Sequence, residues 1–349
     1  MGGGAFAVPA KRSAPAHVAL TVVVILWGMS FTSTKIILNT GFPPLTIALL
    51  RFAIASAVML AILKARKKRL SIPRGDILPL GLSGLLGVTL YFFFENRGIK
   101  LTSASNASLI IATIPVFTVA AEMVFFRHSV PLVKMGGIGL SIAGVYFLIN
   151  PGAAARWTPG GASPSSANGL AGSLLMLGAC FSWVAYIILS KKFAQKLPRL
   201  TLTTYQFLFG TLFLIPLSLF ERREWVAMGT NAWFNLLFLA LLCSAAGYFL
   251  YLYGLFRLDP TTVSSYINLI PVVGSLSGIF VLGERLVSTQ ILGGAAVIAG
   301  VVIVNVRMGG KRKNDERERR DPRGMITNRR TRRACRSRPP KSPRPGISP

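Results

Sequence analysis

The sequence predicts an all-α integral membrane protein with ten transmembrane helices, arranged as two inverted repeats of five helices. Three observations support this fold class. Of 349 residues, 52% are hydrophobic and only 14% are charged, and the mean hydropathy is +0.55. Ten stretches approach the roughly 20 apolar residues that cross a bilayer. Finally, the two halves of the chain resemble each other. A soluble helical protein would need more polar surface, and a β-barrel would show alternating polarity.

The internal repeat relates two segments that lie about 156 residues apart. The first, from residue 91, reads YFFFENRGIKLTSASNASLIIATIPVF, and the second, from residue 248, reads YFLYLYGLFRLDPTTVSSYINLIPVV. Their alignment pairs Tyr91 with Tyr248 and Pro115 with Pro271. A period of this length is too long for a solenoid and indicates two copies of one domain.

Five predicted spans fall in each repeat. Because five is odd, the second repeat enters the membrane from the opposite side, as in many secondary transporters. The spans cover residues 18–38, 44–63, 77–97, 104–126, 131–149, 169–189, 201–220, 233–254, 261–282 and 287–306. The predicted domains are an amino-terminal segment (1–17), the first repeat (18–149), an external linker rich in Gly, Pro and Ser (150–168), the second repeat (169–306) and a carboxy-terminal tail (307–349).

Lys and Arg in the loops predict the orientation. If the amino terminus is cytoplasmic, the internal loops carry 12 Lys and Arg and the external loops carry 6. Cytoplasmic loops are generally richer in these residues. We therefore expect a multi-pass protein of the plasma (inner) membrane with both termini in the cytoplasm.

The tail beyond residue 306 has a different composition from the rest of the chain. It carries 16 Lys and Arg against 4 acids, with few apolar residues, which predicts disorder. Two interpretations stay open: a patch that binds anionic lipid, or a solvated tail that only reinforces the topology. Nucleic acid is disfavoured as a partner because no aromatic residue lies between the arginines.

Ionisable residues inside predicted spans are candidates for function because they are costly in a membrane. Arg51 and Glu95 have similar predicted depths and could pair. Asn106 and Lys35 fall in the same outer half of their spans, which predicts a polar cluster. The alternative for Glu95 is a carboxylate at the external interface that Arg97 or Lys100 neutralises.

The second repeat differs at these charged positions. Gln206 stands approximately where the first repeat has Arg51, and Leu252 stands where it has Glu95. The two halves are therefore not chemically equivalent, and the charges of the first half are the better candidates for substrate binding or proton coupling.

Other candidates are prolines and aromatic residues near the middle of spans. Pro115 and Pro271 interrupt equivalent helices, and a carbonyl freed by proline can line a cavity. Aromatic residues within spans, rather than at the water interfaces, also suggest a cavity lining. This group comprises Trp27, Trp183, Tyr186, Tyr248 and Tyr266, to which we add the polar Asn268.

Glycines form a stripe in the last span of each repeat. Gly137 and Gly144 belong to the fifth span, and Gly293 and Gly300 occupy the same places in the tenth. Small residues allow helices to approach closely. These two spans are therefore expected to act as scaffold helices or as contacts in a homodimer.

The sequence gives no sign of a cofactor, a metal site or an enzyme. Its three cysteines lack metal or redox spacing, and its two histidines are too few for a metal cage. There is no nucleotide-binding loop of the GxxxxGK[ST] type and no workable catalytic set at membrane depth.

The phrases LTSASNASLIIATIPVF and VLGERLVSTQILGGAAVIAGVVIV resemble the EamA-type family of the drug/metabolite transporter superfamily. The resemblance covers residues 18–306. It implies a ten-helix transporter of small metabolites, with a cavity formed mainly by the first four helices of each half. It also implies a Gly-Glu pair after the ninth span, here Gly283 and Glu284. The first repeat has Arg127 and His128 at that place.

The predicted function is secondary transport, in the direction of export, of small organic metabolites or drugs. The predicted mechanism is alternating access with proton coupling through Glu95. The predicted partners are a small-molecule substrate and the lipid bilayer. The alternative is a membrane scaffold or sensor whose basic tail recruits partners, which deletion of residues 307–349 would distinguish.

Overall fold

Ten helices that are long and apolar enough to cross a membrane lie in the described part of the computed structural model, which comprises residues 14–66, 72–126, 131–150, 167–191, 197–258 and 260–305. This confirms the predicted all-α fold with ten spans. Most of the amino-terminal segment, most of the linker and all of the tail lie outside the described residues.

We number the membrane helices α1 to α10 in chain order. Six are uninterrupted: α1 (Ala14–Asn39), α2 (Pro44–Ala65), α5 (Leu132–Ile149), α6 (Ala167–Lys191), α7 (Arg199–Leu219) and α10 (Ser288–Asn305). Two contain a central π-helical segment: α3 (Arg74–Gly84, Leu85–Leu90 and Tyr91–Leu101) and α8 (Thr230–Leu237, Phe238–Ala246 and Gly247–Arg257). Two are broken: α4 into α4a (Ala104–Ile111) and α4b (Ile114–Phe126), and α9 into α9a (Pro260–Ile267) and α9b (Ile270–Leu282).

The interruptions fall at equivalent places in the two repeats. The π-helical segments end at Leu90 and Ala246, one residue before Tyr91 and two before Tyr248. The breaks in α4 and α9 precede Pro115 and Pro271. Proline lacks the N–H that would bond to the carbonyl four residues earlier, and its ring crowds that carbonyl. The same local chemistry therefore breaks both helices near their middles, as the sequence predicted.

The two glycine stripes pack against each other, so α5 and α10 form a close pair within the chain. A Cβ atom added at Gly144 would lie 2.6 Å from the carbonyl oxygen of Gly293. One added at Gly137 would lie 3.0 Å from the carbonyl oxygen of Gly300. Such approaches are available only to glycine, which makes the pair a scaffold. The homodimer stays a prediction.

The remaining eight helices interlock across the two repeats. Helix α1 packs against α8 and α9b, α2 packs against α7, and α3 packs against α6. Small residues again allow close packing, since a Cβ atom at Gly84 would lie 2.7 Å from the carbonyl oxygen of Gln206. Each repeat therefore contributes helices to one shared centre.

Candidate functional site

A cavity of about 170 Å³ lies at this shared centre. It is lined by the breaks in α4 and α9 and by residues of α1, α2, α3, α6, α8 and α10. Its volume is below the roughly 300–1,000 Å³ of typical small-molecule sites, so it suits a solute of few atoms. The lining is largely apolar and aromatic, with a few polar side chains.

Eight of the twelve predicted site residues line this cavity. They are Trp27, Arg51, Glu95, Pro115, Trp183, Tyr248, Asn268 and Pro271. Their roles in binding or coupling stay predictions. Sequence reasoning missed Ser30 and Phe31, which also line the cavity. They follow Trp27 by three and four residues, a spacing that places all three on one helical face and was a usable signal.

Aromatic pairs join the two repeats at the cavity. Trp27 contacts Tyr248 with ring centroids 5.4 Å apart, and Trp183 contacts Tyr91 with centroids 4.9 Å apart. Each tryptophan thus packs on the tyrosine of the other repeat. The indole N–H of Trp27 also donates to the carbonyl oxygen of Cys243 at 2.9 Å, which fixes the ring against the π-helical segment of α8.

Arg51 projects from α2 into the cavity and is only 6% exposed. Its Nε donates to the Oγ atom of Ser244 at 2.8 Å. Its guanidinium carbon lies 4.7 Å from the ring centroid of Phe92, a cation–π distance. A hydroxyl and an aromatic face therefore orient this buried cation. Ser244 has no equivalent polar residue in the first repeat, so the repeat comparison gave no signal for it.

Glu95 is also 6% exposed and faces the cavity. Its Oε1 accepts a hydrogen bond of 2.8 Å from the hydroxyl of Tyr91, one helical turn earlier. The suggested pairing with Arg51 is wrong as a direct contact, because within the described residues the two form no ion pair within 4.0 Å. Each lies in the same cavity but is held by a separate hydroxyl.

Neutralisation of Glu95 by the external cations is also wrong. Arg97 pairs with Glu221 at 3.5 Å, and Lys100 pairs with Glu224 at 3.8 Å. These acids lie in the segment between α7 and α8, which the sequence analysis did not single out. The carboxylate of Glu95 therefore forms no ion pair with these two cations, and it lines the cavity.

The predicted polar cluster around Lys35 and Asn106 does not reach the cavity. Lys35 donates to the carbonyl oxygens of Ile99 and Thr102, each at 2.7 Å, at the carboxy-terminal end of α3. A cation is stabilised there by the helix dipole. Asn106 donates to the hydroxyl oxygens of Thr102 at 3.0 Å and Ser173 at 3.1 Å, so it links α4a to α6.

Three further candidates also lie away from the cavity lining. Gln206 donates to the Oγ atoms of Ser83 at 2.6 Å and Ser190 at 3.1 Å. It accepts a hydrogen bond from the hydroxyl of Tyr186 at 3.1 Å. The hydroxyl of Tyr266 lies 3.0 Å from Nδ1 of His17, a histidine that the sequence analysis set aside.

Two acids of the second repeat cap helices of the first. Oε2 of Glu221 accepts from the backbone N–H groups of Leu45 at 2.8 Å and Thr46 at 3.2 Å, at the start of α2. Burial raises the pKa of Glu221 above its ordinary value, and these N–H groups and Arg97 only partly offset that effect.

Glu284 makes the equivalent contact with α4a. Its Oε1 accepts from the N–H of Ala104 at 2.7 Å, and its Oε2 accepts from the N–H of Ser105 at 2.9 Å. The first N–H groups of a helix have no partner within the helix, and the helix dipole favours an anion beside them. Both acids therefore join the repeats at one end of the bundle. This end lies opposite Ala14 at the start of α1 and Asn305 at the end of α10, which we call the termini of the bundle.

The family model of EamA-like transporters matches residues 14–150 and 170–306, one copy for each repeat. The chain belongs to the EamA-like transporter family. The tandem match agrees with the repeat that the sequence shows, and the family places this protein among multi-pass membrane transporters. EamA-like transporters therefore provide the relatives with which it is compared.

Curated relatives match nearly their full length. An "Uncharacterized transporter" of Archaeoglobus fulgidus is 31% identical over 293 residues, which is 83% of this chain and 97% of the relative. A "Probable terminal-alkyne amino-acid exporter" of Streptantibioticus cattleyicolor is 28% identical over 84% of this chain and 95% of its own. A "Probable amino-acid metabolite efflux pump" of Salmonella typhimurium is 30% identical over 81% of this chain and 92% of the relative.

A crystal structure of similar fold was also found. It aligns with a TM-score of 0.56 at 21% identity, covering 84% of this chain and 96% of that chain. At this identity the likeness supports the fold alone. The family match and the named relatives support a transporter role for this chain.

Proposed function

We propose that this EamA-like protein exports small amphoteric solutes of the amino-acid type by alternating access, with Glu95 carrying the coupling proton. The observation that carries the proposal is that one central cavity holds Arg51 and Glu95 between aromatic walls. Two of the relatives are named for the export of amino acids or their metabolites, which agrees with this chemistry.

The two charged residues suit the two ends of an amphoteric solute. The planar guanidinium of Arg51 can bind a carboxylate with two parallel hydrogen bonds. The carboxylate of Glu95 can bind an ammonium group. The faces of Trp27 and Trp183 offer apolar contact to the side chain of the solute and cation–π attraction to its ammonium group. The small cavity then favours a solute with a short or slender side chain.

Glu95 can couple export to protons because its carboxylate binds either a proton or the ammonium group of the solute. When the cavity faces the cytoplasm, the solute displaces the proton. When the cavity faces outward, a proton displaces the solute and returns with the carrier. The inward proton gradient of the membrane thereby drives export.

The paired breaks in α4 and α9 supply hinges for alternating access. Both breaks line the cavity, so a bend at either one changes access to the solute without moving the scaffold of α5 and α10. Hinge motions use a few residues that absorb a backbone change. In the proposed orientation both chain termini face the cytoplasm, and the protein lies in the plasma (inner) membrane.

The test is transport in proteoliposomes with an imposed pH gradient, using a panel of neutral amino acids, their amides and their decarboxylated amines. We expect gradient-driven flux of at least one amphoteric solute. Glu95→Gln is expected to abolish that flux, while Glu224→Gln, which alters an exposed acid, retains it.

Two outcomes would contradict the proposal. Flux that Glu95→Gln leaves unchanged would remove Glu95 from coupling. Absence of flux for every amphoteric solute, in protein that melts cooperatively, would overturn the assigned substrate class.

A further inference from the structure

The end of the bundle opposite its termini, Ala14 of α1 and Asn305 of α10, is closed by α1, α4a and α9b. The hydroxyls of Thr32 and Ser277 lie 2.7 Å apart and join α1 to α9b. Ser105 of α4a donates to the carbonyl oxygen of Ser275 at 3.1 Å. A Cβ atom added at Gly278 would meet the hydroxyl oxygen of Ser105 and would lie 2.6 Å from Oε2 of Glu284. The three helices are therefore in tight contact here.

Glu284 reaches this contact because of the turn that ends α9b. Gly283 has a φ of 67°, a left-handed conformation that glycine adopts without strain. The N–H of Glu284 then bonds back to the carbonyl oxygen of Gly278 at 3.2 Å. This turn directs the carboxylate across to α4a, where it accepts the two N–H groups of Ala104 and Ser105.

The opposite end, which carries the termini, is packed differently. Segment α4b packs on α5, α6 and α10, and segment α9a packs on α1, α8 and α10. Within the described ranges these two segments do not form a packed pair, whereas their counterparts α4a and α9b do. The bundle is thus closed at one end and looser at the other.

The sequence explains why no equivalent acid closes the looser end. The first repeat carries Arg127 and His128 where the second carries Gly283 and Glu284. Arg127 has no acceptor atom, and a neutral imidazole at His128 offers only one ring nitrogen and no negative charge, so neither can replace a carboxylate that accepts two N–H groups beside a helix start. In addition, α9a begins at Pro260, which has no N–H to donate, whereas α4a begins at Ala104, which has one. The looser end therefore lacks the carboxylate and one of the N–H groups of the contact that Glu284 makes.

We propose that Glu284 is a latch that holds the transporter closed at the end opposite the termini, and that its absence from the first repeat makes this closed form the resting state. The proposal rests on the alternating access proposed above, in which equivalent contacts close the two ends in turn. Because the latch acts at one end alone, it favours opening of the cavity toward the end that carries the termini. In the proposed orientation this is the cytoplasm, where an exporter takes up its solute.

The test measures from which side the cavity can be reached. In a cysteine-free background, with Cys180, Cys243 and Cys335 replaced, the reporter is Ala112→Cys in the cavity wall. A membrane-impermeant maleimide is applied to right-side-out and inside-out vesicles, and the ratio of the two labelling rates is compared among variants.

We expect faster labelling in the parent from the side that carries the termini. Glu284→Ala should shift the ratio toward the opposite side by roughly tenfold, the effect expected for loss of one charge-assisted hydrogen bond. Glu284→Gln, which keeps an acceptor but no charge, should give a smaller shift in the same direction. Glu224→Ala removes an exposed acid at the same end and should give none.

An unchanged ratio in Glu284→Gln would overturn the latch, provided that the protein is monodisperse and melts cooperatively; this variant decides the matter if Glu284→Ala does not fold. Solute flux measured on the same variants separates the two proposals. Flux with an unshifted ratio rejects the latch and leaves the transport function. A shifted ratio without flux of any amphoteric solute supports the latch and rejects the proposed substrates.

Discussion

The hydroxyl of Tyr91 donates to Oε1 of Glu95 at 2.8 Å, and the ring of Tyr91 packs on Trp183 of the other repeat. The carboxylate that we assign to coupling is thus positioned by a residue that itself belongs to the contact between the repeats. Through the ring of Tyr91, the contact between α3 and α6 therefore helps to position the carboxylate of Glu95.

Tyr91→Phe tests this positioning role, because it removes the hydrogen bond and keeps the aromatic contact. We expect the solute concentration for half-maximal flux to rise by roughly tenfold, as for loss of a hydrogen bond to a charged group. Dose–response curves in proteoliposomes measure it. Tyr146→Phe, on the exposed side of α5, is the matched control, and an equal effect in both variants would refute the role of Tyr91.

Arg51→Lys tests recognition of a carboxylate. Lysine keeps the positive charge but loses the planar fork and the Nε bond to Ser244. We expect affinity for solutes with a carboxylate to fall by roughly tenfold, the loss of one good hydrogen bond, while decarboxylated amines compete as before. Competition assays measure both. Equal losses for both kinds of solute would show that Arg51 does not bind the carboxylate.

Gly144→Ala tests the scaffold pair of α5 and α10. The added methyl group would lie 2.6 Å from the carbonyl oxygen of Gly293, so the helices must separate. Overpacking of this kind costs about 1–3 kcal/mol, and we expect a lower melting temperature. Gly139→Ala is the control on the same helix, since a Cβ atom there meets no described atom within 4 Å. Similar melting of both variants would contradict the close packing.

Glu221 is expected to make stability depend on pH. Burial raises its pKa above the ordinary value of 4.5, so the folded protein holds this proton more tightly than the unfolded chain. Ionisation of Glu221 therefore lowers the free energy of unfolding. This loss is complete above the raised pKa, and it disappears as the pH falls to 4.5.

Because glutamine does not titrate, the melting temperature of Glu221→Gln should exceed that of the parent by the largest difference near neutral pH. The difference should shrink on acidification. Melting curves in detergent across this pH range measure it, with Glu224→Gln as the control for an exposed acid. A difference that grows on acidification would refute the assigned direction.

Deletion of residues 307–349 distinguishes transport from the scaffold alternative. The family match ends at residue 306, and the described residues that line the cavity all precede it. We expect the shortened protein to retain its flux within about twofold, because no interaction made in the transport cycle is removed. Loss of flux in a correctly inserted, shortened protein would contradict this expectation and would support a function that depends on the tail.

The sequence by itself determined the number of spans, the repeat and the paired helix breaks. Span length follows from bilayer thickness, and a break at Pro115 or Pro271 follows from the missing N–H of proline, so both are local properties. The cavity positions of Trp27 and Trp183 were also predicted, because both fall within spans rather than at the water interfaces where aromatic residues usually lie.

Only the tertiary structure decided which groups meet. Arg51 and Glu95 have the predicted similar depth, yet each binds a hydroxyl, from Ser244 and Tyr91, rather than the other. Depth in the membrane is encoded along the chain, whereas the rotation of each helix and its distance from a neighbour depend on packing between distant segments. The capping of α4a by Glu284 depends on that packing too, since its partners lie 180 and 179 residues earlier in the chain.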